Sequence, residues 1–137
     1  DIHSTLGSCN EFLETDGFLT INVPNCNGLF FRIAIFLNLI GYAKPWNRLW
    51  QTMFYTPHLH YFSPQSLVAC VENNGFQKIS GPIYLPVIGL VGLWGRISAD
   101  SSSSFITRVI QYTAVLFIYP IYIFSTKDSF FVVFQKS

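Results

Sequence analysis

Two stretches of this chain, Ile79 to Gly95 and Val109 to Thr126, run without a charged side chain. Their apolar surface has to be buried in a core, laid on a bilayer or passed through one. Neither is a clean span. Pro82 and Pro86 interrupt the first, which also carries Gly81, Gly89, Gly92 and Gly95, and Gln111 and Pro120 fall inside the second. Burial or packing at a membrane surface is therefore favoured over crossing. The rest of the chain shares the bias: charged residues make up 11%, hydrophobic ones 50% and aromatics 18%, against a usual charged share of about 25%. Such a composition excludes intrinsic disorder. A length of 137 residues allows one core. Eight Lys+Arg against seven Asp+Glu give a net charge of +1, too small and too scattered to make nucleic acid the main partner. The charge deficit fits either a membrane protein or a piece of a larger fold whose surfaces are covered by further chain.

Cys9, Cys26 and Cys70 are odd in number and widely spaced, so they predict reduced thiols in a cytoplasmic setting, not a disulfide framework or a C-x-x-C pair. No N-x-[ST] acceptor and no secretory leader pattern is present, and the sequence begins at Asp1 without a Met; the expectation is a fragment or a processed product.

Along the chain, Leu6 to Leu13 has a helical pattern and Glu14 to Gly17 forms a polar turn. Phe18 to Val23 predicts a strand with Leu19, Ile21 and Val23 on one face, stopped by Pro24. Leu29 to Ala43 is nearly continuous apolar residue, with Arg32 its only charge, and predicts a buried or interfacial helix ended by Gly41. A basic aromatic segment, Lys44 to Trp50, leads into an aromatic, His-rich one, Phe54 to Phe62. Ser63-Pro64 reads as an N-cap followed by Pro at the first helical position, and Gly75 as a left-handed stop. Phe76 to Ser80 predicts a strand, Asp100 to Ser104 a polar linker, and Phe130 to Phe134 a last strand buried on both faces.

Most standard chemical motifs are missing: there is no G-x-G-x-x-G, Walker loop, G-x-S-x-G or H-E-x-x-H. His58 and His60 would face one side of a strand, but no third ligand of matching spacing stands near them, so no metal is expected. What stands out is an ordered set of local signals. These are Gly17 to Asn25, a strand opening with Gly and closing in Pro-Asn; His58 to Leu67; Gly75-Phe76 after a short helix; and Asp128 to Val133.

In this order the segments resemble the C-terminal part of class I S-adenosylmethionine-dependent methyltransferases, in the branch related to the ubiquinone-biosynthesis O-methyltransferases. The resemblance spans nearly the whole chain, with apolar inserts at about 29–50 and 81–124 that match only as hydrophobic and helical. It implies a single partial α/β domain over residues 1–137. This would be the C-terminal portion of a Rossmann-like seven-stranded sheet with flanking helices, supplying the fifth strand, the last helix and the antiparallel sixth and seventh strands. The glycine-rich turn and the acidic residue with which the family holds S-adenosylmethionine have no counterpart here, so the resemblance implies that the cofactor-binding half is absent and the chain alone inactive. Lys127 stands where a Gly commonly precedes the Asp of the final strand, and Gly17 is single where two are usual.

The resemblance implies methyl transfer to a small acceptor, and the concentration of Phe, Trp and Tyr around an apolar helix, with the charge-poor Val109 to Thr126 stretch, predicts that the acceptor is apolar. His58 is the candidate base, since a neutral imidazole titrates near the working pH, although a His packed structurally among Tyr55, Tyr61 and Phe62 satisfies the same pattern. His60, Tyr61, Trp46, Trp50 and Asn25 are candidate acceptor-binding residues, and Trp46 and Trp50 with Lys44 and Arg48 are candidates for peripheral membrane contact. The partners expected are a small-molecule or lipid-linked acceptor and a membrane surface, with no nucleic acid. Two other functions fit the same residues: a small integral membrane protein with two hydrophobic segments, and a non-catalytic methyltransferase remnant.

Overall fold

The structure, a computed structural model, describes residues 1–50, 58–86, 89–99 and 104–137. Phe54 to Pro57 of the aromatic segment and Asp100 to Ser103 of the polar linker lie outside the described residues. The chain runs α1 (Ile2–Phe12), β1 (Phe18–Pro24), α2 (Leu29–Leu39), α3 (Lys44–Leu49), α4 (Pro64–Glu72), β2 (Phe76–Leu85), α5 (Leu93–Ser98), α6 (Phe105–Phe124) and β3 (Ser129–Lys136). It is a mixed α/β fold with a small three-stranded sheet ordered β1-β3-β2.

β3 pairs antiparallel with both neighbours, Thr20 opposite Val133 on one side and Ser80 opposite Val133 on the other. The two outer strands are therefore parallel to each other, and parallel strands need a long crossover. That crossover contains α2, α3 and α4. One face of the sheet is covered. Phe130, Val132 and Phe134 of β3 are fully buried against Leu6 of α1, Leu67 and Val71 of α4, and Phe76, and Leu19, Ile21 and Val23 of β1 pack against this cluster as their alternation requires. Burial of β3 on both faces is not what the structure has: Phe131 and Val133 are only half-buried, because the helices that close the core lie on one side. Phe18 and Ile79, on the outer strands, stand largely in the open.

Local chemistry sets the boundaries. Ser63 caps α4, its Oγ accepting from the Ser66 N–H at 3.1 Å while the Ser66 Oγ accepts from the Ser63 N–H at 3.0 Å, with Pro64 at the first helical position. Beyond Glu72 the chain turns through Gly75 at φ +85°, a conformation that costs glycine little and other residues more. Lys136 closes the C-terminal end of α1 by donating to the Asn10 and Leu13 carbonyls.

The helix from Leu29 ends at Leu39, with Gly41 just beyond it at φ +89° as expected, and the basic aromatic segment that follows forms a second helix, α3, from Lys44 to Leu49. The charge-poor stretch from Ile79 starts as strand, not helix: it continues β2 to Leu85 as an edge strand, where two register irregularities accommodate Pro82. Among the described residues the insert at 81–124 is thus strand at its start and helical in α5 and α6. The other charge-poor stretch does form one helix, α6, of 20 residues and apolar enough by length and composition to cross a membrane.

Candidate functional site

At the end of β1 the chain needs a turn that also holds the start of β3. Asn25, fully buried, supplies it: its side-chain amide donates to the Lys127 carbonyl at 2.8 Å, its Oδ1 accepts from the Asn27 N–H at 2.9 Å, and its backbone N–H donates to the Asp128 carbonyl at 2.8 Å. Both polar atoms of this side chain are engaged in the turn and Asn25 is outside the cavity lining, so here it holds the frame. The segment His58 to Phe62 is laid beside the same turn. Phe62 donates its N–H to the Pro24 carbonyl at 3.1 Å and accepts from the Cys26 N–H at 3.0 Å.

These anchors, with α2, α3, α5 and α6, line a cavity of about 890 Å³ that is partly open to solvent, in the size range of a small-molecule site. Its walls are mostly apolar: Phe30, Phe31, Leu49, Leu93, Ile97 and Val115. A few polar side chains reach it, among them Asn22, Arg48, His58, Tyr61, Gln111 and Asp128. His58 is half-buried and its backbone N–H donates to the Trp50 carbonyl at 3.1 Å. Its ring stands edge-on to Tyr61, with centroids 6.0 Å apart. The Tyr61 hydroxyl donates to the Leu49 carbonyl at 2.7 Å, and burial, with the nearby Asp128 charge, pushes its pKa up to about 12. Tyr61 is thus a neutral phenol with its oxygen lone pairs free to accept.

Trp46 and Trp50 do not line the cavity directly. They are half-buried in the aromatic wall behind it, Trp46 5.6 Å from Phe31 and Trp50 5.0 Å from Tyr61 between ring centroids. His60 is exposed and turned to Phe62, 5.9 Å away, outside the cavity lining. Of the sequence candidates, the fold therefore brings His58 and Tyr61 to the cavity and puts Trp46 and Trp50 one layer back.

Asp128 is the residue that sequence reasoning missed. Its Oδ1 accepts from the Phe30 N–H at 2.8 Å and from the Phe31 N–H at 3.4 Å, taking up two free donors at the positive end of α2. Its Oδ2 is buried without a hydrogen-bond partner. Burial raises the Asp128 pKa above the ordinary 3.8, against the opposing pull of the Phe30 and Phe31 N–H groups and of Lys127. Asp128 therefore holds its proton more tightly in the folded chain than in the unfolded one. Its contribution to stability is fully present below the ordinary carboxylate range and is lost as pH rises through the raised value. Urea unfolding midpoints across that range should fall with rising pH in the wild type, and Asp128→Asn should flatten that dependence. A variant with the wild-type slope would assign the dependence to other groups.

Among the described residues, no three His, Cys, Asp or Glu side chains come together as a metal site would require. The cavity also does not fit S-adenosylmethionine. Among the described residues one carboxylate, Asp128, lies on its wall with Oδ1 taken up by α2, and the apolar lining offers few partners for ribose hydroxyls and an amino-acid zwitterion. No protein-family model and no curated protein matches the chain.

Proposed function

We propose that the chain is the acceptor-binding part of an S-adenosylmethionine-dependent methyltransferase, and that its cavity takes an apolar acceptor carrying a hydroxyl or a comparable nucleophile. The observation that carries this is the cavity itself: an apolar chamber of about 890 Å³ at the end of β1, with His58 and Tyr61 among its few polar groups. The fold supports the same reading. A strand, a crossover with a helix, a second strand and an antiparallel partner follow in the order that the C-terminal part of a larger Rossmann-like sheet calls for, and the open edge of β1 is where further strands of a seven-stranded sheet would add.

The chemistry that follows is economical. The donor supplies an electrophilic methyl group. The aromatic walls hold the acceptor body by burial and ring contact. His58 takes the acceptor hydroxyl proton onto a ring nitrogen, and Tyr61, held by Leu49, accepts or orients a second polar group. Methylation of a long-chain alkylphenol by the full-length protein tests this. His58→Ala should lower kcat by roughly 10²–10⁴-fold with KM little changed. The 137-residue chain alone should show no saturable binding of S-adenosylmethionine by calorimetry. Unchanged kcat in His58→Ala would remove the base assignment, and micromolar donor binding by the isolated chain would contradict the division of labour.

A further inference from the structure

The polarity of α6 is inverted. The helix turns one side toward the body: Tyr112 meets Trp94 at 5.6 Å near the start, Gln111 and Val115 line the cavity, and Tyr122 meets Phe30 at 5.4 Å near the end. Its charged and amphipathic residues Arg108, Gln111, Tyr112, Tyr119 and Tyr122 are on this inner, half-buried to buried side. The opposite stripe, spaced by whole heptads, is Ile110, Phe117 and Phe124, with Ile106 and Ile121 beside it. All are exposed, Phe117 at 78% and Phe124 at 91%. A soluble helix does the reverse. The hydroxyls near the outer side are satisfied within the helix, Thr113 Oγ1 donating to the Val109 carbonyl at 2.9 Å and Ser125 Oγ to the Ile121 carbonyl at 2.7 Å, as apolar surroundings demand.

Charge says what covers this stripe. From residue 101 to 127 the only charged side chains are Arg108 and Lys127, and from Gly17 to Val71 they are Arg32, Lys44 and Arg48, with no Asp or Glu in either segment. Lys127 sits at the C-terminal end of α6, donating to the Tyr122 and Ile123 carbonyls. The stripe itself carries no charge; Asp100 and Asp128 flank the helix in sequence, Lys127 stands at its C-terminal end, and the exposed Arg48 lies on the wall of the cavity that α6 shares, so the arrangement matches headgroups that include anionic ones over hydrocarbon.

We propose that α6 is a monotopic anchor, lying in the plane of an anionic bilayer with the Ile110–Phe117–Phe124 stripe in the acyl boundary. It does not cross. The helix is tied to the body near both ends, through Tyr112 on Trp94 and Tyr122 on Phe30, so crossing would carry in the unpaired edges of β1 and β2, which hydrocarbon does not tolerate. The cavity lies directly behind α6 and shares its inner residues, so the anchor places an apolar chamber at the membrane surface.

Flotation of the purified chain with vesicles tests this without any acceptor or donor, and its result is independent of methyl transfer. The chain should float with phosphatidylcholine vesicles containing phosphatidylserine and much less with phosphatidylcholine alone. Phe117→Glu/Phe124→Glu should reduce the bound fraction by roughly 10-fold or more. Both positions are exposed, and an unchanged circular dichroism spectrum would show that the variant folds. Absence of flotation with anionic vesicles, flotation indifferent to the double substitution, or a lipid-free dimer dissolved by it would each overturn the proposal, the last in favour of a second copy of the chain. Solubility only in detergent would overturn it in favour of a span.

Discussion

Gly28→Ala should lower the stability of the chain by about 3 kcal/mol, and its melting temperature by roughly 10 °C. Gly28 precedes the first residue of α2, and a Cβ built there runs into the Asp128 side chain and comes within 2.7 Å of the Asp128 Cα. The nearest backbone atom cannot move aside by a rotamer change. The turn or the start of β3 would have to shift, and with it the bond from the Phe30 N–H to Asp128 and the one from the Asn25 N–H to the Asp128 carbonyl. Overpacking and the loss of a charge-assisted hydrogen bond each cost on the order of 1–3 kcal/mol. Thermal unfolding of the variant checks this; a melting temperature equal to that of the wild type would show that the Gly28–Asp128 approach carries no constraint.

Phe134→Ala should cost more, about 3–5 kcal/mol. Phe134 is completely buried on the central strand, between Leu19 of β1 and Lys78 of β2 in register, within the cluster that also holds Leu67, Val71 and Phe76. Deleting the ring leaves a cavity bounded by two hydrogen-bonded strands, which cannot close over it. Against a total of about 5–15 kcal/mol for an ordinary domain, the variant should be partly unfolded near physiological temperature. The same truncation at Phe117, 78% exposed, should change stability by less than about 0.5 kcal/mol. Urea titrations of the two variants side by side give the comparison, and equal losses would contradict the assignment of inner and outer faces.

Much of the fold is legible in local sequence. Ser63-Pro64, Gly75, and the alternation of Leu19, Ile21 and Val23 each state their structure within a few residues, because caps, positive φ and pleat are short-range physics. The face of β3 is less legible. Phe130 to Phe134 is unbroken apolar residue, and which positions are buried depends on where α1 and α4 dock. The stretch from Ile79 misleads for a similar reason, since an edge strand rich in Gly and Pro and an interrupted helix have the same low charge. In the site, His58 and Tyr61 stand out by residue type. Asp128 does not, because its role exists only where the start of β3 meets the N-terminal end of α2, 98 residues apart in sequence. The part played by Asn25 is likewise invisible until its three hydrogen bonds are seen together.

The central claim is that the chamber bounded by α2, α3, α5 and α6 takes an apolar ligand beside His58 and Tyr61. Titration of the chain with a long-chain alkylphenol, followed by tryptophan fluorescence, tests it directly, because Trp46 and Trp50 stand one ring behind the chamber wall. The expected result is a saturable change with a Kd of roughly 10–100 μM, about −6 kcal/mol, abolished by Ala114→Phe, which places a ring on the chamber lining. A linear, unsaturable change, or a saturable one that Ala114→Phe leaves untouched, would contradict the claim.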